Sequence, residues 1–202
     1  MKAVSNESPL IHWARVRNGQ ITVWNGTETV RFKKISGKIN GVYFKTDEYN
    51  ALPYEVALFH LTFQDERWIL SMRVDSQYFR TLCNYLHTLF ADGRHTETLT
   101  FTPAMNEKDG KRYAAVYLSI YAPPGEKEMM IRAYFRSDGS ILPAPIITEL
   151  GGRKLYDWTP VNDYYKEWLK TNFPAGYDGG TTQIMEQLPP PPPSDDPDDL
   201  PF

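Results

Sequence analysis

The chain has 202 residues, 41% of them apolar and 14% aromatic, with one cysteine, four histidines and a formal net charge of −3. That length supports one substantial core; the single Cys83 excludes a disulfide framework, and the scattered His12, His60, His87 and His95 exclude a structural zinc site. The charge is segregated: residues 1–46 carry eight Lys and Arg against two Glu, whereas the last fourteen residues carry four Asp and no base.

No apolar run reaches the length of a membrane span, and MKAVSNESPL lacks the apolar core of a secretory leader. A cytoplasmic protein in a reducing compartment is expected, with residues 1–9 as a loose arm. The first informative stretch is HWARVRNGQITVW, residues 12–24. Asn18-Gly19 is a strong signal for a two-residue type I′ hairpin turn. It predicts that Arg17 faces Gln20, Val16 faces Ile21, Arg15 faces Thr22, Ala14 faces Val23 and Trp13 faces Trp24. Opposed residues share a sheet face. One face then holds Ala14, Val16, Ile21 and Val23 and turns to the core. The other holds Trp13, Arg15, Arg17, Gln20, Thr22 and Trp24.

Strand signals continue to Phe63 as short β-branched and aromatic runs broken by Asn-Gly and Ser-Gly. Val56–Phe63 and Arg67–Val74 read as a hairpin around Asp65-Glu66, apolar on both faces. Asp75 or Ser76 caps a helix whose Phe79, Leu82, Cys83, Leu86, Leu89 and Phe90 recur at helical spacing, with Gly93 beyond its end. Cys83 on that stripe is a buried structural thiol. Three strands follow, near Thr96–Thr102, Tyr113–Tyr121 and Met129–Arg136, the first two joined by NEKDGK. Residues 142–157 read as irregular. Thr159-Pro160 then starts a helix with Val161, Tyr164, Tyr165, Trp168 and Leu169 on its apolar face. The folded body is expected to end near residue 175. Strands, one helix, more strands and a final helix give a mostly β fold: an OB-type Greek-key barrel with extra strands, or else a β-sandwich.

The polar face of the first hairpin carries the functional expectation. Two indoles beside two guanidiniums suit a single nucleic-acid strand, since bases stack on flat rings and phosphates need nearby positive charge. Trp13 and Trp24 are the candidate stacking residues. Arg15, Arg17, Arg31, Lys33, Lys34 and Lys38 are the candidate phosphate contacts, with Phe32, Tyr43, Phe44 and Lys45 interleaved. The competing view is that the indoles pack under a loop or against a partner subunit. Arg73, Arg80, Lys111, Arg112, Tyr113, Arg132 and Arg136 are further groove candidates. The pairs Asp47-Glu48 and Asp65-Glu66 are solvated turn charges. Gly151-Gly152 lacks the lysine of a phosphate loop, and neither a nucleophile elbow nor a Cys/His pair is present. No catalysis, metal or cofactor is expected.

The chain ends LPPPPPSDDPDDLPF. Pro189 to Pro193 cannot join a helix or central strand, and the aspartates repel one another, so residues 176–202 are expected to be a disordered linker and tail. Solubility explains the aspartates but not a terminal Phe202. The ending Asp198, Asp199, Leu200, Pro201 and Phe202 resembles the C-terminal tip of bacterial single-stranded DNA-binding proteins. Acidic tails ending in phenylalanine also occur in phage-encoded single-stranded DNA-binding proteins with OB folds. The resemblance implies a protein that coats single-stranded DNA in replication, recombination or repair, in a bacterial cell or host. It implies that Asp195, Asp196, Asp198, Asp199, Leu200, Pro201 and Phe202 dock partner proteins and that this tip competes with DNA for the basic face. A protein–protein adaptor with an aromatic interface and an RNA-binding OB protein are the alternatives, and homo-oligomerisation is open.

Overall fold

The structure is a computed structural model that describes residues 11–24, 27–133 and 142–174. The expected loose arm and the whole acidic tail, Asp195 to Phe202 included, lie outside the described residues. In chain order the elements are β1 (Ile11–Arg17), β2 (Gln20–Trp24), β3 (Thr29–Phe32), β4 (Ile35–Tyr49), β5 (Leu52–Phe63), β6 (Glu66–Arg73), α1 (Gln77–Ala91), β7 (Leu99–Lys108), β8 (Lys111–Ile120), β9 (Met129–Met130), β10 (Ile146–Leu150), β11 (Arg153–Asp157) and α2 (Thr159–Asn172). The mostly β class is as expected, with one helix between strand groups and one near the end of the described chain.

Nine strands form one sheet in the order β3-β2-β1-β6-β5-β4-β7-β8-β9. β4, β5 and β6 are consecutive antiparallel neighbours, and β7 returns through α1 to lie antiparallel beside β4. That is a Greek key. The β1–β2 hairpin adds to it through a parallel β1·β6 pairing. Closure of an OB-type barrel is not shown: among the described residues no ladder joins the two ends of the sheet. The sheet nevertheless curls. Gly19, at the tip of the first hairpin, lies against Met105 of β7, where a Cβ would sit 2.7 Å from the Met105 nitrogen.

The predicted register of the first hairpin is found from Ala14–Val23 to Arg17–Gln20. Ala14, Val16, Ile21 and Val23 are buried in the main core with Ile39, Phe59, Leu61 and Leu70 of the Greek key and with Phe79, Leu82, Cys83, Leu86 and Leu89 of α1. The helix stripe thus packs on the inner face of the sheet. Each large side chain so buried contributes about 1.5–3 kcal/mol. Ser76 is the N-cap, accepting from the Phe79 N–H at 3.2 Å. Cys83 is fully buried, and burial pushes its thiol pKa well up, which makes it a packing residue.

α2 lies on the same side. Val161, Tyr165 and Leu169 enter the main core, and Tyr164 and Trp168 pack at its margin. Lys166 Nζ donates to Glu55 at 2.6 Å, and the Tyr165 hydroxyl lies 2.5 Å from Asn84 Oδ1. The helix starts at Thr159 with Trp158 in the N-cap position, and the Thr159 N–H donates to Asp157 Oδ1 at 2.9 Å.

Two sequence expectations change. Residues 142–145 are irregular as expected, but 146–157 are not: β10 and β11 form a hairpin around Gly151-Gly152. Both glycines have positive φ, 58° and 75°, which is the type I′ requirement. Every residue of this hairpin is exposed, so it has no buried face to impose the alternation by which strands are recognised. Of the strand expected over Met129–Arg136, the described residues 129–133 hold the pair Met129–Met130 with 131–133 outside regular structure, and residues 134–136 lie outside the described residues.

Candidate nucleic-acid interface

Helices cover the inner face, so the outer face of β1–β6 is the open one. Its residues follow from the ladders. On β1 they are Trp13, Arg15 and Arg17, and on β2 Gln20, Thr22 and Trp24. Across the parallel pairing, Trp13 lies beside Ile69 and Arg15 beside Ser71. Ile69 lies opposite His60 and Arg67 opposite Thr62. Tyr43 lies opposite Leu58 and Lys38 opposite Thr62.

A second apolar cluster sits on this outer face: Val56, Leu58 and Ile69 are buried, and Ile11, Trp13, Tyr43 and Tyr54 pack over them. An apolar, aromatic shelf therefore crosses β1, β6, β5 and β4. Seven cationic residues share its face by register: Arg15, Arg17, Arg31, Lys38, Lys45, Arg67 and Arg73. Lys45 and Arg73 are tied by neighbours. Lys45 pairs with Asp47 at 3.2 Å. Arg73 forks onto Asp75 and lies over the Tyr54 ring, 4.8 Å from its centroid. Asp47 is the one acidic residue that the β4–β6 ladders place on this face, so the local field is positive.

The sequence-predicted residues fall out as follows. Trp24, at the end of β2, is 38% exposed. Trp13 is half-buried on the shelf. The two lie just past the end of the β1·β2 ladder, which runs to Ala14–Val23; on their other sides Trp13 lies beside Ile69 and Trp24 beside Thr29. Arg15, Arg17, Arg31 and Lys38 reach the common face. Lys33 is exposed in the bend after β3. Lys34 is held elsewhere, its Nζ 2.5 Å from Glu128, which also accepts from the Ser119 hydroxyl at 2.6 Å. The Lys34 ammonium, then that hydroxyl, hold the Glu128 carboxyl below its usual range.

Of the wider candidates among the described residues, only Arg73 joins the shelf. Arg80 lies over Trp158, 4.7 Å from its ring. Lys111, Arg112 and Tyr113 are exposed at the β7–β8 tip, and Arg132 is exposed beyond β9. Arg136 lies outside the described residues. Sequence reasoning missed Tyr54, His60, Thr62 and Arg67. Their signal is the period of two along β5 and β6, legible only once β1 is known to run beside β6.

Opposite His60, β4 is bulged. Ile39 pairs with Leu61 and Gly41 with His60, leaving Asn40 as the extra residue. A shallow groove opens there, lined by Asn40, Gly41, Tyr43, His60, Thr62 and Arg67 among others. Among the described residues no group of three His, Cys, Asp or Glu side chains gathers as a metal site, and no helix is long and apolar enough to cross a membrane. The face offers stacking surface and positive charge rather than an acid–base pair. No protein-family model, curated protein or solved structure matches this chain.

Proposed function

We propose that this protein binds and coats single-stranded DNA, largely without sequence preference, on the outer face of β1–β6. One observation carries this: an aromatic shelf that includes Trp13, Tyr43 and Tyr54 shares its face with seven Arg and Lys residues and lies opposite the helices. Bases stack on such a shelf for ~1–3 kcal/mol each, and the cations hold the phosphates on either side. Trp24, Arg15, Arg17, Arg31, Lys33 and Lys38 extend the track. Lys34, neutralised by Glu128, contributes less. The reaction is binding alone and needs no cofactor.

On the same reading the acidic tip, Asp195 to Phe202, recruits replication, recombination or repair proteins. Its aspartates steer toward a basic rim and Phe202 fills an apolar pocket. The setting is the cytoplasm of a bacterial cell or host. Titration of the purified protein with labelled oligothymidine at two ionic strengths is the direct test. Tight binding that weakens steeply with salt is expected. Equal affinity for duplex and single strand would sink the stacking mechanism, and a preference for RNA over DNA of one sequence would move the assignment to RNA.

One observation favours a protein–protein adaptor instead. The β10–β11 hairpin exposes Ile146, Ile147, Leu150, Leu155 and Tyr156, each more than half accessible. Such a surface is a contact surface for another protein.

A further inference from the structure

The groove at the β4 bulge differs in kind from the shelf around it. A bulge puts two residues of one strand opposite a single residue of its partner. Here Asn40 and Gly41 both fall on the outer face, and only Asn40 carries a side chain. Gly41, opposite His60, leaves a gap where the pleat would otherwise place a side chain. Beside the gap two aromatic rings lie against each other: the Tyr43 and His60 centroids are 4.4 Å apart, their planes tilted by 41°. Its floor is apolar, with Ile69 almost fully buried. Its rim is polar and ordered. The Asn40 side-chain amide donates to the Thr62 hydroxyl, which leaves the Asn40 carbonyl oxygen as an acceptor and the Thr62 O–H as a donor, side by side. Arg67, opposite Thr62, adds a cation at the mouth.

An aromatic platform beside a gap, with one adjacent donor and acceptor and positive charge outside it, matches the chemistry of a nucleobase. The ring stacks, the edge hydrogen-bonds and the attached phosphate stays with the cation. We propose that the bulge groove is a discrete subsite that takes a single unstacked base of the bound strand, with the Tyr43–His60 ring pair as its stacking platform, Asn40 and Thr62 reading the base edge and Arg67 holding the neighbouring phosphate. The subsite rests on the reading of this face as a single-stranded DNA track. It fixes one nucleotide in place, whereas stacking along the open shelf lets the strand slide.

The test uses the full chain and two probes of equal length, oligothymidine and an abasic deoxyribose-phosphate strand. Tyr43→Leu and His60→Ala, checked for unchanged thermal midpoints, are expected to lower oligothymidine affinity about tenfold, the value of one stacked base, and abasic-strand affinity less than twofold. Asn40→Ala, at an exposed position, is expected to lower oligothymidine affinity severalfold and serves if the ring variants fail to fold. Arg67→Gln is expected to weaken both probes together. If the groove variants leave oligothymidine binding intact while Trp24→Ala weakens it, the subsite is wrong and the DNA reading stands. If the wild-type chain binds neither probe, both are wrong. Loss of affinity for a synthetic peptide of residues 194–202, with oligothymidine unaffected, would assign the groove to the acidic tail and overturn the proposal.

Discussion

The Gly19 backbone N–H donates to the Tyr78 hydroxyl at 2.6 Å, joining the tip of the first hairpin to the first turn of α1, 59 residues away. The contact is tight on its other side as well, against Met105. Gly19 has φ of 71°, a region an L-residue occupies only at a cost. Gly19→Ala should therefore destabilise the fold by about 2–4 kcal/mol, combining backbone strain with the clash against β7. Tyr78→Phe should cost about 1–2 kcal/mol through the orphaned N–H. Urea unfolding measures both. Since the hairpin positions Arg15 and Arg17, Gly19→Ala should also weaken oligothymidine binding.

The two indoles of the hairpin should separate in behaviour. Trp24 is the more exposed, so Trp24→Ala is expected to reduce oligothymidine affinity about tenfold and leave the unfolding midpoint nearly unchanged. Trp13 lies on Val56, Leu58 and Ile69. Trp13→Ala should lose affinity and also about 2–4 kcal/mol of stability. Its Nε1 is buried and meets no acceptor among the described residues, so Trp13→Phe should restore most of the stability at little polar cost. Equal stability losses at Trp13 and Trp24 would contradict this placement.

Ion pairing predicts which cations matter. Each phosphate contact removed should lower the slope of log affinity against log salt by about 0.7 for a single strand. Arg15→Gln and Arg31→Gln are expected to show that change. Lys34→Gln is expected to show almost none, because Glu128 already neutralises that ammonium. A full slope change at Lys34 would place the strand along the β3–β4 bend rather than the shelf.

Removing residues 194–202 takes four aspartates and Phe202 from the chain. If the tip competes for the cationic face, the deletion should preserve or tighten oligothymidine binding, most at low salt, and should abolish capture of partner proteins. A large loss of DNA affinity on deletion would rule out competition between tip and strand.

Much of the fold was legible because local chemistry decided it. Asn18-Gly19 set the register of β1 and β2, and the stripe from Phe79 to Leu89 set α1 and its buried face. The hairpin of β5 and β6 followed from two apolar runs and a short polar turn. The parallel pairing of β1 with β6 was not legible, since it joins segments more than fifty residues apart and no turn specifies it. Half of the candidate site depends on that pairing. It brings Arg67 and Arg73 beside the cations of the first hairpin and turns the double-sided apolarity of β5 and β6 into a core on one face and a shelf on the other. The bulge at Asn40 was equally hidden, because a single extra residue in a long strand leaves the composition unchanged.

His87 makes stability depend on pH. Its ring stacks on Trp168 with centroids 3.8 Å apart and lies 5.7 Å from Tyr164, so α1 and α2 enclose it. Burial lowers its pKa from 6.5 to about 4. Between those values the unfolded chain takes up a proton that the folded chain refuses. Stability is then greatest above pH 6.5, falls as pH drops toward 4, and levels off below, where both states are protonated. A shift of that size corresponds to ~3 kcal/mol for a fully buried ring; with the partial solvent access of His87, about 1–2 kcal/mol is expected. Glu128, Glu97 and Asp157 also have lowered pKa values. They favour the fold above the carboxylate range and cease to do so as acid protonates them, at lower pH than the onset of the His87 effect. His87→Phe should therefore flatten the stability profile between pH 6.5 and 4 while leaving the acidic limb in place. Thermal midpoints of both proteins across that range decide it: parallel profiles would mean that His87 is protonated in the folded state and that α2 does not shield it.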